Sequence, residues 1–233
     1  MHRIAKTILI VTAIVQLTAL DALGFTYQLD NGDMTHFGAF NNSDGLEAVD
    51  NWVGNEFTAV AGANVITRVD VGIYTLTPGK TAQLALYRLG NPTIGPTRIY
   101  TQTFTPVAGG GSAFNLNQID LTTPVALDPG DVFLVSVLIP DVFPLTTQGV
   151  NSPWVYDTGA SAVGSFWDRS APNTFNLDDL DSARRLDLPL SPGGATVGAH
   201  HLFLRAVAVP EPSTLLLLGG GIAGIVARRS KRG

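Results

Sequence analysis

The middle of the chain is written in two-residue periods. In ANVITRVDVGIYTL, Val65, Val69, Val71 and Ile73 fall on one face while Arg68, Asp70 and Tyr74 fall on the other. That alternation predicts a strand with one buried side. Thr81 to Leu89 repeats it, with Leu84 and Leu86 opposed to Ala85 and Tyr87. Thr97 to Thr105 is rich in β-branched and aromatic residues, which suit a pleated surface. Asp128-Pro129-Gly130 is a turn signal ahead of the nearly continuous apolar run from Val132 to Ile139. An unbroken run of this length predicts a central strand covered on both sides. His200 to Val209 is expected to be the last strand, because Pro210 and Pro212 follow and cannot sit inside a continuing ladder.

No stretch of the body carries the 3.6-residue stripe of an amphipathic helix. Leu177 to Leu188, with Asp178, Asp179 and Asp181, reads as an acidic surface loop. Short strands divided by Gly and Pro turns predict an all-β fold: an antiparallel β-sandwich, or a jelly roll. The expected organisation is a single domain over residues 25–209, with a loose lead-in as far as Asp50.

Composition agrees with that reading. The 233 residues include 25 Gly and 14 Pro, and only 14% are charged. There is no cysteine, so disulfides, zinc–thiolate sites and cysteine nucleophiles are all excluded. The net charge of −5 hides an uneven distribution. Basic residues gather at the two ends, and the body between them has more than two acidic residues for every basic one. Such a body is not expected to bind nucleic acid.

Both ends look like addresses rather than parts of a fold. Arg3 and Lys6 precede an apolar stretch from Thr7 to Leu20, and Ala22-Leu23-Gly24 offers small residues for cleavage. This predicts a signal peptide over residues 1–24. At the other end, Pro210-Glu211-Pro212-Ser213 precedes the uncharged segment from Thr214 to Ala227. As a helix that segment spans about 21 Å, short of the ~30 Å hydrocarbon core, so it is expected to be a short transmembrane helix with snorkelling flanks. Arg228, Arg229, Lys231 and Arg232, within the basic tail 228–233, would hold its far end on the cytoplasmic side.

Three features in that order, the 210–213 motif, the apolar span 214–227 and the basic tail, resemble the PEP-CTERM sorting signal of exopolysaccharide-producing Gram-negative bacteria. The resemblance covers residues 210–233. It implies recognition and cleavage by exosortase, a membrane-embedded cysteine transpeptidase-like enzyme, with transient membrane anchoring and delivery to the cell surface or beyond. Pro210, Glu211, Pro212 and Ser213 are then substrate positions. The body is also similar, more loosely, to extracellular β-sandwich modules of secreted bacterial proteins. Asn55-Glu56-Phe57, the D-P-G-D turn, Trp167 and Leu204-Arg205-Ala206 carry that likeness. It implies a sandwich and no named activity.

Candidate chemistry in the body is sparse. His200 and His201 are adjacent on a strand and point to opposite faces, His36 is isolated, and no G-x-S-x-G elbow occurs. Asp30, Asp33 and Asp44 stand in Asn- and Gly-containing turns that could offer hard oxygen ligands to calcium, without the spacing of an EF-hand loop. The same residues also simply make turns. Trp52, Trp154, Trp167 and Tyr156 are candidates for a sugar-stacking platform, or for packing. The expected function is a non-catalytic surface or extracellular-matrix protein of the biofilm type, without a cofactor. A carbohydrate-binding module for exopolysaccharide is the alternative, and a secreted hydrolase a more distant one.

Overall fold

The computed structural model describes residues 24–30, 36–38, 49–74, 79–90, 95–107, 109, 114–142, 154–157, 164–169, 175–180, 183–188 and 201–210. Residues 1–23 of the predicted signal peptide, Glu211, Pro212 and Ser213, the apolar span, the basic tail, and Asp33, Asp44 and His200 lie outside them. Among the described residues no helix is long and apolar enough to cross a membrane.

Those residues form strands β1 (Phe25–Tyr27), β2 (His36–Gly38), β3 (Val49–Thr58), β4 (Val65–Ile73), β5 (Ala82–Leu89), β6 (Pro96–Phe104), β7 (Asn115–Ala126), β8 (Val132–Val142), β9 (Trp154–Asp157), β10 (Gly164–Arg169), β11 (Ala183–Leu188), β12 (His201–Leu202) and β13 (Leu204–Val209). They make two antiparallel sheets. One has six strands in the order β11-β10-β3-β8-β5-β6. In the other, β4 lies between β13 and β7, β1 edges β13, and β9 joins the end of β4 at Ile73↔Trp154. β2 and β12 then pair with β9.

The sheets stack on one core, the layout of a β-sandwich. Val53, Phe57, Leu84, Leu86, Phe133, Val135, Val137 and Ile139 come from the six-stranded sheet. Val69, Val71, Ile73, Ile119, Leu121, Leu204, Ala206 and Ala208 meet them from the other. Alternation along each strand puts these side chains inward, and burial of the Val, Leu, Ile and Phe among them stabilises by about 1.5–3 kcal/mol each. β8 is covered on both sides, as its sequence predicts. Leu134 and Leu138, on its outer face, belong to a second cluster with Trp52, Ala85, Tyr87, Phe175 and Leu177. Between them the buried Ser136 hydroxyl donates to the Ala85 carbonyl.

That second cluster corrects the reading of Leu177 to Leu188. Phe175 and Leu177 are buried and cap the outer face of the six-stranded sheet, while Asp178 and Asp179 face water. The Tyr87 hydroxyl holds the cap by donating to the Leu177 carbonyl at 2.7 Å. Residues 183–188 are strand β11, paired along their length with β10. An acidic sequence therefore hides two apolar anchors and an edge strand.

Three further details depart from expectation. A register shift between Ile66 and Arg68 reverses the alternation of β4, so Ile66 rather than Val65 joins the shared core. Bulges have this effect because one extra residue flips every side chain beyond it. The lead-in is docked at its start: β1 pairs with β13, and Tyr27 packs edge-on against Phe133 with centroids 5.2 Å apart. The last strand breaks at Phe203, which is buried against Tyr74. Asn55, buried and reaching across from β3, donates to the carbonyls of Leu202 and Leu204 on either side of that break.

Candidate functional site

The acidic turns do not assemble a cation site among the described residues, where no group of three or more His, Cys, Asp or Glu is placed to hold a metal. Asp30 is instead a structural ion. Its side chain is fully buried, and it accepts from Arg205 on β13, whose Nε lies 3.0 Å from Oδ2. The Arg205 guanidinium in turn lies over the Phe203 ring, 3.9 Å from its centroid. Next to it on β4, Asp70 pairs with Arg68 at 2.8 Å. A carboxylate this deep survives because a cation and hydrogen bonds replace its lost water. Asp33 and Asp44 lie outside the described residues.

Trp52 offers no sugar-stacking face. Trp52 on β3 is fully buried and stacks on Phe175 of the cap, with centroids 4.5 Å apart and planes 19° apart. No ligand face remains on it. Trp167 on β10 is half-buried against the same cluster, and its Nε1 donates to Glu56 at 2.9 Å. Arg185 on β11 donates twice to that carboxylate, at 2.8 and 2.9 Å, so both Glu56 oxygens are occupied. Trp154 and Tyr156 stand on β9 in the other sheet.

A cavity does occur where two sheet edges face each other without pairing. β6 and β7 are bridged there by side chains. Gln102 donates to the Asp120 carbonyl at 3.2 Å, and its Oε1 accepts from Thr122 N–H at 3.1 Å. The Tyr100 hydroxyl accepts from the same N–H at 2.9 Å. Asn117 clamps the connection between the strands, accepting from Val107 N–H at 2.7 Å and donating to its carbonyl at 2.9 Å. Side chains thus complete parts of the backbone ladder that each edge lacks. Beside these bridges is a cavity of about 590 Å³, lined among others by Phe104, Thr105, Asn115, Gln118 and Asp120. No cation stands among its described lining residues. Amides, a hydroxyl, a carboxylate and one ring line it beside Val107, Leu116 and Ile119, so it offers both hydrogen-bonding groups and apolar surface. The polar residues Asn115, Asn117, Gln118 and Asp120 were the available signal in the sequence, and nothing in their spacing marks a site.

The remaining functional feature is where the chain leaves the sandwich. β13 pairs with β4 up to Val209↔Val65, and Pro210 follows with no intervening linker. Phe25, the first residue of β1, pairs with Ala208. β1 therefore begins where β13 ends. No curated protein and no solved structure matches the chain. Residues 208–232, however, match the PEP-CTERM protein-sorting motif, so the last paired residues of β13 run directly into a sorting signal that implies exosortase processing and membrane association.

Proposed function

We propose that the chain is a non-catalytic surface or extracellular-matrix protein of a bacterium that makes exopolysaccharide. Residues 1–24 act as a cleaved signal peptide, and Thr214 to Ala227 hold the exported body in the inner membrane as a short transmembrane helix. Exosortase then cleaves near Pro210-Glu211-Pro212-Ser213. The sorting motif at residues 208–232 carries this reading. It is supported by a sandwich with its own shared core, from which the tail departs at Pro210. Replacing Pro210 and Pro212 together by Ala tests it. The expected result is accumulation of uncleaved, membrane-bound precursor, and normal release of the double variant would refute the sorting role.

A second reading has the body bind the exopolysaccharide itself. The cavity between β6 and β7 favours it, since its amides and carboxylate suit hydroxyl groups and no cation stands among its described lining residues. Gln118→Ala with Asp120→Ala should abolish saturable binding to neutral polysaccharide while leaving the melting temperature unchanged. Trp52→Ala should act only through stability. Flat titrations of the unaltered body against the purified polymer would remove this reading.

A further inference from the structure

Four large apolar side chains are prominently exposed among the described residues: Phe25 at 45%, Val60 at 42%, Val107 at 61% and Leu116 at 40%. The pairing assigns them to opposite ends of the sandwich. Leu116 pairs with Gly72 near the end of β4, and Val107 is clamped by neighbouring Asn117. Phe25 pairs with Ala208, beside Val209↔Val65 at the start of β4. Val60 belongs to the tight turn that enters β4, closed by its bridge to Ala63. Tyr27 ties this turn to β1, since its hydroxyl accepts from Val60 N–H at 2.9 Å and donates to the Ala63 carbonyl at 2.5 Å. The Asp128–Asp131 turn sits alongside, joined through Gly130 N–H to the Ala59 carbonyl at 2.8 Å.

Both apolar terminal segments leave from this end. Thr214 follows Val209 by five residues, and Phe25 follows Leu20 by five. Five residues reach at most about 17 Å when extended. Any body whose flanking segments enter a bilayer therefore keeps this end within that reach of the bilayer surface, first by two tethers and after signal cleavage by one.

We infer that the end of the sandwich formed by Phe25, the Val60 turn and Val209-Pro210 is a lipid-contacting face, seated on the membrane surface while the sorting signal is in place. This rests on the reading of Thr214 to Ala227 as a membrane segment. Contact there is apolar and tethered rather than electrostatic. Asp128 is exposed at this end and Glu211 follows it, which opposes an anionic surface. Side chains of this kind enter the interfacial region of a bilayer, where part of the ring or branch is withdrawn from water. When exosortase cuts the tail, tethering is lost, and two partly exposed apolar side chains are too few to hold the body on lipid.

The absence of cysteine makes the test clean. Single variants of the full chain, Val60→Cys and Ala61→Cys at one end and Val107→Cys and Leu116→Cys at the other, are labelled with an environment-sensitive fluorophore. They are reconstituted into phosphatidylcholine vesicles with and without lipids carrying a quencher at headgroup depth. The expected result is a blue shift and loss of fluorescence at positions 60 and 61, with none at 107 and 116. Adding anionic lipid should weaken the contact. Protein that floats with the vesicles yet quenches equally at both ends, or at neither, overturns the inference while leaving the membrane segment intact. Protein that fails to float overturns the reading of the tail, and the inference with it.

Discussion

Asp30 shows how little a residue type says before its neighbours are known. In the sequence it sits in an Asp-Asn-Gly turn suited to calcium, and in the fold its buried carboxylate is matched to Arg205, 175 residues away. Nothing local announces that partner. Asp30→Asn leaves Arg205 half of a buried pair, and should cost about 3 kcal/mol, read as a lower urea midpoint that added calcium does not restore. Gly54 makes a second residue-scale prediction. A Cβ there would lie 2.7 Å from Leu134 Cδ1 and 3.0 Å from the Val135 carbonyl oxygen. Gly54→Ala should therefore destabilise by about 1–3 kcal/mol through overpacking, again by denaturant titration. Trp52 was open to two readings from sequence because a tryptophan serves core and glycan face equally well. Its stacking on Phe175, 123 residues later, decides for the core.

At the scale of elements the sequence was most legible where periodicity was strong. β4, β5 and β8 follow from their alternation or unbroken apolar run, and the turn at Asp128-Pro129-Gly130 closes as its residues demand, with Gly130 at φ 95°. The bulge in β4 was not legible, because a one-residue insertion leaves no compositional mark. The cap was missed for a different reason. Its anchors are two apolar residues among carboxylates, a pattern whose meaning depends on an exposed apolar sheet face being available. The cap yields a pH prediction. Burial pushes the phenols of Tyr87 and Tyr27 above their ordinary 10.0, against lowering by Arg98 for the first and by the Val60 N–H bond for the second. Each phenol keeps its proton in the folded state at a pH where the unfolded chain loses it. Their contribution is thus whole below about pH 10 and falls as pH rises toward the folded values. Thermal melting should hold steady up to that point and then decline. Tyr87→Phe should make the decline shallower, while loss of the bond to Leu177 lowers stability by about 1 kcal/mol at neutral pH and speeds proteolysis of the cap.

For the whole molecule, the decisive relation is between the sandwich and its ends. The all-β class and the sorting signal were legible because each rests on a pattern along the chain. The meeting of Phe25 with Ala208 was not, since antiparallel pairing of the first and last strands is a property of topology alone. It gives the body a single end from which both terminal segments depart, and it makes β13 the hinge between cargo and address. The shared core is drawn from residues between Tyr27 and Ala208, and removal of both segments is expected to leave a folded domain. The most direct test is intact-mass spectrometry of the protein recovered from the cell surface and medium, in cells with and without exosortase. With the enzyme, the mass should correspond to a chain beginning near Phe25 and ending close to Pro210-Glu211-Pro212-Ser213; without it, the tail should remain. A surface protein that keeps Thr214 to Gly233 when exosortase is active, or a cytosolic one with both ends intact, would contradict the account.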